Sequence, residues 1–127
     1  MKKNFKALAL LLLSAFLMQA CAPRAWQANW HMFQAESAAA KAYEMRVKKN
    51  LRETRLKLYR QACDHAKEAY RLDPGVFTLM RIEMAQDACF RVEDLDAREV
   101  FLEFFANYEA AHPTEATYGD AFPALEA

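Results

Sequence analysis

The segment that decides the fold is residues 62–89, ACDHAKEAYRLDPGVFTLMRIEMAQDAC. Good helix formers occupy both of its ends, whereas the Pro74-Gly75 pair cannot continue a helix, because proline lacks an amide donor and glycine permits a chain reversal. The segment therefore predicts two antiparallel helices that meet at residues 73–75. Cys63 lies about eleven residues before that turn and Cys89 about fourteen after it, so at ~1.5 Å per residue their heights differ by about 5 Å.

The chain before this turn has a helical pattern. Between Pro23 and Pro74 there is neither proline nor glycine. Apolar residues recur at steps of three and four in two adjacent stripes, one of which starts at Val47 and Leu51. Because the two stripes together cover about half of the circumference, a helix over residues 54–72 should contact two neighbours.

The chain after the turn predicts two further helices. Residues 76–92 are apolar nearly all round, which is typical of a buried central helix. A stripe from Ala97 to Ala111 predicts an amphipathic helix, with Asp96 and Glu99 as its capping box. The predicted fold class is therefore all-α, with three to four helices in antiparallel hairpins.

Length and charge restrict the functions that the chain can have. Its 127 residues suffice for one domain, and two glycines leave almost no material for phosphate-binding loops. The net charge of zero combines 17 basic with 17 acidic side chains. Residues 41–71 hold ten basic and four acidic side chains, whereas residues 72–127 hold three basic and twelve acidic ones. The neutrality is therefore an average over a basic segment and an acidic one.

The N-terminus resembles that of a bacterial lipoprotein. A basic start and an apolar run over residues 7–18, too short to span a bilayer, precede Leu17-Met18-Gln19-Ala20-Cys21. This sequence is similar to a lipobox, although Gln19 is unusual there. The resemblance implies cleavage before Cys21, lipidation of its thiol and, with Ala22 next, sorting to the outer membrane of a Gram-negative host. Ordinary secretory cleavage after Ala22 is the alternative.

Lipidation of Cys21 would leave Cys63 and Cys89 as a pair in an oxidising compartment, where disulfides persist. Their spacing of 26 residues suits a disulfide between two helices, and the hairpin brings them to similar heights. A redox or metal pair is the alternative, but the chain has no C-x-x-C motif.

Residues 62–113 resemble a tetratricopeptide repeat. Ala62, Ala69 and Pro74 stand at the spacings of its second helix, and a second copy would begin at Ala97, 35 residues later. Met84-Ala85 occupies the Leu-Gly pair of the first helix. The resemblance implies a protein-binding concave face, and a small antiparallel helical bundle stapled by the disulfide is the alternative.

An aromatic stripe follows the predicted lipidation residue. Trp26, Trp30 and Phe33 recur at i, i+4 and i+7, and Ala40 and Tyr43 continue the pattern. Tryptophan is enriched where bilayer and water meet, so the stripe is a candidate membrane-interface site. It is equally well explained as the packing face of the first helix of the domain.

A basic run is the densest charge feature of the chain. It consists of Arg46, Lys48, Lys49, Arg52, Arg55 and Lys57. It is a candidate binding face for anionic lipid, lipopolysaccharide or an acidic partner. The alternative is a solvated face that is neutralised by a packed acidic helix, whose carboxylates are Glu93, Asp94, Asp96, Glu99 and Glu103.

The sequence predicts no catalytic residue, metal site or cofactor. The one serine after residue 20, Ser37, lies in a helical context, and the carboxylates have no apolar pocket that would raise a pKa. Asp64, His65 and Glu68 could reach a metal only with Cys63, which would cost the disulfide. His31 and His112 have no evident partner in the sequence. A thioether site at Met80 and Met84 is less well supported than core packing.

The predicted organisation is a signal peptide over residues 1–20, a membrane-proximal segment over 21–40, a helical domain over 41–113 and a tail over 114–127. We expect a non-enzymatic lipoprotein of the outer membrane that faces the periplasm and binds another envelope protein through a helical groove. The alternative is a structural envelope lipoprotein whose basic helix binds lipid or lipopolysaccharide. Neither hypothesis involves nucleic acid or a small-molecule substrate.

Overall fold

The computed structural model of the protein describes residues 2–20 and 23–115. Within these ranges it contains five α-helices and no strand, so the all-α prediction is confirmed. The helices are α1 (Lys2–Ala20), α2 (Arg24–Glu44), α3 (Arg52–Leu72), α4 (Leu79–Arg91) and α5 (Leu95–Ala111). Cys21 and residues 116–127 lie outside the described residues, so the lipid attachment and most of the predicted tail stay predictions.

Helix α1 precedes the bundle. Its side chains over residues 4–13 are all exposed, and they include Phe5, Leu8 and four consecutive leucines, Leu10 to Leu13. No helix in the described part of the chain combines the length and the apolar character needed to cross a membrane. The interpretation of residues 1–20 as a signal peptide remains a prediction.

Helices α2 and α3 form an antiparallel hairpin whose interface is built mainly from alanine. The buried alanines are Ala28, Ala35, Ala38, Ala39, Ala42, Ala62, Ala66 and Ala69. Because these side chains are small, the two helices pack along most of their length. Helix α2 therefore belongs to the same core as the later helices, and the predicted division at residues 40 and 41 falls inside it.

The reversal between α2 and α3 occupies residues 45–51, which contain no proline or glycine. Val47 is 75% exposed there, so the prediction that Val47 starts a packed helical stripe is wrong. The physical reason is the packing of α2 against α3, which are separate in the sequence. Only by reversing can the chain bring the alanine face of α2 against that of α3.

The hairpin between α3 and α4 is confirmed. The Asp73 carboxylate accepts a hydrogen bond from the Gly75 amide at 2.8 Å, and Pro74 starts a short 3₁₀ turn, Pro74–Val76. A Cβ at residue 75 would lie 2.9 Å from Asp73 Oδ1, so a larger residue there would displace the carboxylate from this hydrogen bond. The predicted disulfide joins Cys63 and Cys89, whose Cα atoms are 4.9 Å apart and whose side chains are fully buried.

Helix α4 is the central helix, as its apolar pattern predicts. It contacts α2, α3 and α5, and Leu79, Ile82, Ala85 and Ala88 are buried. Phe90, in its last turn, departs from this pattern and is 54% exposed.

Helix α5 begins earlier than predicted. Asp94 is its N-cap and accepts a hydrogen bond from the Ala97 amide at 3.2 Å, so the capping box of Asp96 and Glu99 is wrong. The tight reversal from α4 places Glu93 at a φ of 61°, which brings Asp94 rather than Asp96 to the helix start.

An aromatic cluster and one carboxylate fix the end of α5 on the bundle. Tyr70, Phe77, Phe101 and Phe104 pack with ring centroids 5.3–6.2 Å apart, mostly edge to face. Beyond α5, Glu115 accepts hydrogen bonds from the Tyr108 hydroxyl at 2.7 Å and from the Leu79 amide at 3.2 Å. The chain that leaves α5 is thereby held at the start of α4.

Candidate functional site

The aromatic stripe on α2 is not part of the core. Trp26 is 69% exposed, Trp30 55% and Phe33 68%. At 100° per residue the three side chains lie within about 60° of the helix circumference, and they extend about 10 Å along its axis. The interpretation of this stripe as the packing face of α2 is therefore wrong, and the interpretation as a membrane-interface site stays open.

The packing face of α2 is instead the alanine face, with Met32 as its one large residue. The sequence carries a signal for it, since Ala28, Ala35 and Ala42 are spaced by seven residues. Aromatic side chains have a larger apolar area than alanine, so a stripe of them is the stronger sequence indication of a packing face.

A groove of about 410 Å³ lies between α2 and α4. Phe33 and Ala40 form its α2 wall, and Met80 and Met84 form its α4 wall. Met84 is buried, whereas Met80 is only partly covered, so the methionine pair contributes both to the core and to an open surface. Ser37 supplies a polar group between the two walls.

Arg81 fixes the width of this groove. Its Nε donates to the Glu36 carboxylate at 2.6 Å, and its Nη1 donates to the Val76 carbonyl at 2.6 Å and lies 3.5 Å from Asn29 Oδ1. The guanidinium therefore ties α4 and the preceding turn to α2. Because Arg81 and Glu36 both line the groove, their ion pair lies at the rim of the groove, beside its apolar floor.

His31 does have a partner, contrary to the sequence-based expectation. Its Nδ1 lies 2.9 Å from Nδ1 of His65 on α3, and both rings meet the Trp30 ring edge to face. The pKa of His31 is lowered, first by partial burial and then by the charges of His65 and Arg71, against an opposing effect of Glu68.

His112 also has a partner. Its Nδ1 lies 3.1 Å from the Tyr108 carbonyl oxygen, and the two rings stack. The expectation that this histidine is isolated is therefore wrong as well.

The described residues contain no group of three or more histidine, cysteine, aspartate or glutamate side chains placed to hold a metal ion. The sulfur of Cys63 is in the disulfide, so it is not available to bind a metal together with Asp64, His65 and Glu68. Glu68 instead forms an ion pair with Arg71.

The basic run lies at the tip of the α2–α3 hairpin. Arg46 stacks on the Tyr43 ring at 3.9 Å, and its carbonyl accepts a hydrogen bond from Arg55 at 3.0 Å. Because α2 has 21 residues, this tip is about 30 Å along the helix from Pro23. Lys49 lies in the 3₁₀ turn Lys49–Leu51 at the same tip.

The acidic helix does not neutralise the basic run. Within residues 2–20 and 23–115, the ion pairs join Lys67 to Asp94, Arg71 to Glu68, Arg81 to Glu36 and Arg91 to Asp87. None of these pairs includes Arg46, Lys48, Arg52, Arg55 or Lys57, the members of the run whose side chains the structure describes. The expectation that Glu93, Asp94, Asp96, Glu99 and Glu103 balance these side chains is therefore wrong, and the acidic segment instead pairs with Lys67, through Asp94 at 2.8 Å.

No known protein family, curated protein or solved structure matches this chain. Its function is therefore inferred from the chemistry and geometry of its surfaces, of which the aromatic stripe, the groove and the basic run are the three candidates.

Proposed function

We propose that the protein is a lipoprotein of the bacterial outer membrane, attached through Cys21 and facing the periplasm, that binds a helical segment of another envelope protein in the α2–α4 groove. The observation that carries this proposal is the groove itself, because it is apolar, open and held at a fixed width by Arg81. An amphipathic helix laid into such a groove buries its apolar face, which is a recurring mode of protein recognition.

The chemistry of the walls supports a polypeptide ligand. The thioethers of Met80 and Met84 adapt to the shape of different apolar side chains, and small Ala40 allows a backbone to approach closely. Glu36 and Arg81 at the rim offer an acceptor and a donor that could orient the bound segment. No residue of the groove is proposed to perform catalysis or to bind a cofactor.

A matched pair of variants tests this proposal. Ala40 in the groove and Ala106 on α5 are both exposed alanines within helices, so Ala40→Glu and Ala106→Glu have similar costs for folding. In a soluble Cys21→Ser form expressed in the periplasm, the Ala106→Glu variant should retain one stoichiometric partner that the Ala40→Glu variant loses. Equal retention in both variants, or capture of no stoichiometric partner, would contradict the proposal.

A second candidate function is favoured by one observation: among the described side chains, Arg46, Lys48, Arg52, Arg55 and Lys57 take part in none of the ion pairs named above. In this alternative the protein is a structural envelope lipoprotein whose hairpin tip binds anionic lipid or lipopolysaccharide, with no dedicated polypeptide partner. It predicts binding of the Cys21→Ser form to anionic vesicles, with a steep loss of affinity in salt. Replacement of Arg52 and Lys57 by glutamate should abolish that binding, whereas Ala40→Glu should not.

A further inference from the structure

The exposed aromatic stripe requires a contact with something other than the helical bundle itself. Helix α2 turns its alanine face inward, and the rings of Trp26, Trp30 and Phe33 stay more than half exposed, even though the Trp30 ring also contacts His65. Three aromatic side chains within one narrow sector of a helix form a contiguous apolar surface, and such surfaces mark sites of interaction with protein or membrane.

The position of the stripe in the chain favours a membrane. Only residues 21–23 separate the end of α1 at Ala20 from the start of α2 at Arg24. Four Cα steps of 3.8 Å keep Arg24 within about 15 Å of Ala20. Whether the apolar α1 or an acyl group on Cys21 holds the chain to lipid, the first turns of α2 cannot leave the bilayer surface.

The charge of this part of α2 also suits lipid. Residues 23–35 contain one charged side chain, the exposed Arg24, and no carboxylate. The first acidic residue of the helix, Glu36, is bound to Arg81 at the groove. Nothing in this stretch opposes an approach to anionic headgroups, and Arg24 can pair with them while its aliphatic stem lies along the acyl boundary.

The ring types fit the same environment. The indole of tryptophan has an apolar body and one N–H donor, a combination that places it at the level of the headgroups. Trp26 and Trp30 would lie there with their N–H groups toward water or phosphate, and the wholly apolar Phe33 would extend the contact along the helix.

We propose that Trp26, Trp30 and Phe33 insert into the interfacial layer of a lipid bilayer, so that the first half of α2 lies along the membrane surface. This inference rests on the membrane attachment proposed above and is independent of what binds in the groove. Since Phe33 also forms the groove wall, the groove opens beside the membrane, and its ligand is a segment that itself lies close to the bilayer.

The chain provides its own probe of this contact. It has two tryptophans, and both are in the stripe, so the intrinsic tryptophan emission reports on this surface alone. We would reconstitute the form that begins at a lipidated Cys21 on vesicles of phosphatidylethanolamine and phosphatidylglycerol, with and without bromine on the acyl chains, and confirm binding by flotation. With Trp26→Phe, the remaining Trp30 should show a blue-shifted emission that brominated lipid reduces by about twofold.

A control at the same height separates insertion from mere proximity to the anchor. Asp64 is exposed on α3 and precedes His65, whose ring contacts Trp30, so it lies at the same height of the bundle but outside the stripe. In a Trp26→Phe/Trp30→Phe background, Asp64→Trp should give an emission that brominated lipid leaves nearly unchanged and that aqueous acrylamide quenches.

The outcomes are distinct for the two proposals. If the chain floats with the vesicles and Trp30 is unquenched by brominated lipid, or is quenched no more than the Asp64→Trp control, the insertion of the stripe is refuted and the attachment stands. A chain that does not float refutes both the attachment and the insertion. Quenching of Trp30 well above that of the control supports the inference, whatever the groove binds.

Discussion

Removal of the Cys63–Cys89 disulfide should lower the free energy of unfolding by about 3.5 kcal/mol. The bond closes a loop of 26 residues, and the chain-entropy relation for a loop of that length gives about 12 cal/mol/K, or about 3.5 kcal/mol at room temperature. Reduction leaves both sulfur atoms in place, so it adds little cavity cost. With a urea dependence of about 1.5 kcal/mol per M for a domain of this size, the midpoint should fall by about 2 M.

The assay is urea unfolding followed by circular dichroism, in a Cys21→Ser background that removes the third thiol. The oxidised and reduced forms are compared, and the Cys63→Ala/Cys89→Ala variant serves as a control that the reductant should not affect. A loss of less than about 1 kcal/mol on reduction would refute the reasoning, because it would mean that the cross-link does not restrict the unfolded chain. Alkylation of two thiols in the folded, oxidised protein would refute the disulfide itself.

Two further predictions concern titratable groups. The pKa of His31 in the folded protein lies below its ordinary value of 6.5, so the fold favours the neutral ring. In urea unfolding, the contribution of His31 to stability should therefore be complete above pH 6.5 and should be lost as the pH falls through the lowered pKa. His31→Gln should remove that part of the pH dependence, and an unchanged profile would contradict the role of the His65 contact. The pKa of the Asp94 carboxyl is lowered by hydrogen bonds from Lys67 and from the Ala97 amide, against the effect of its partial burial. The contribution of Asp94 to stability is therefore present above pH 3.8 and is lost as the pH falls through the lowered pKa. The Asp94→Ala variant should lower the free energy of unfolding, measured by thermal unfolding near neutral pH, by about 1–2 kcal/mol. Lys67→Ala, which keeps the helix cap, should cost less, and equal costs would contradict the assignment of the cap as the larger effect.

The sequence predicts the hairpin at residues 73–75 and the disulfide because both are determined locally. Pro74 and Gly75 stop a helix wherever they occur, and the spacing of Cys63 and Cys89 from that stop sets their relative heights. The reversal at residues 45–51 has no such local signal. It depends on the pairing of two alanine faces that are distant in the sequence, and helix periodicity alone continues through it.

The surfaces are harder to predict for a related reason. Periodicity places Trp26, Trp30 and Phe33 on one face of a helix, but it does not say whether that face is turned inward or outward. Composition likewise shows a basic segment and an acidic one, and only the packing shows that the acidic segment pairs with Lys67, through Asp94, rather than with the basic run. The sequence predicts a groove between helices without saying which helices form it. The walls on α2 and α4 depend on the tertiary arrangement.

The alanine interface of α2 and α3 also limits how this sequence can diverge. A methyl side chain loses no rotamer freedom when it is buried, so the interface forms without that entropic cost, yet it has no spare volume for a larger group. Ala28, Ala35 and Ala66 should therefore accept little beyond glycine or serine in a saturation library, while the outward face of the same helices accepts most residues. A gain of size at one of these positions would have to be offset by a loss across the interface, so viable changes there should occur in pairs.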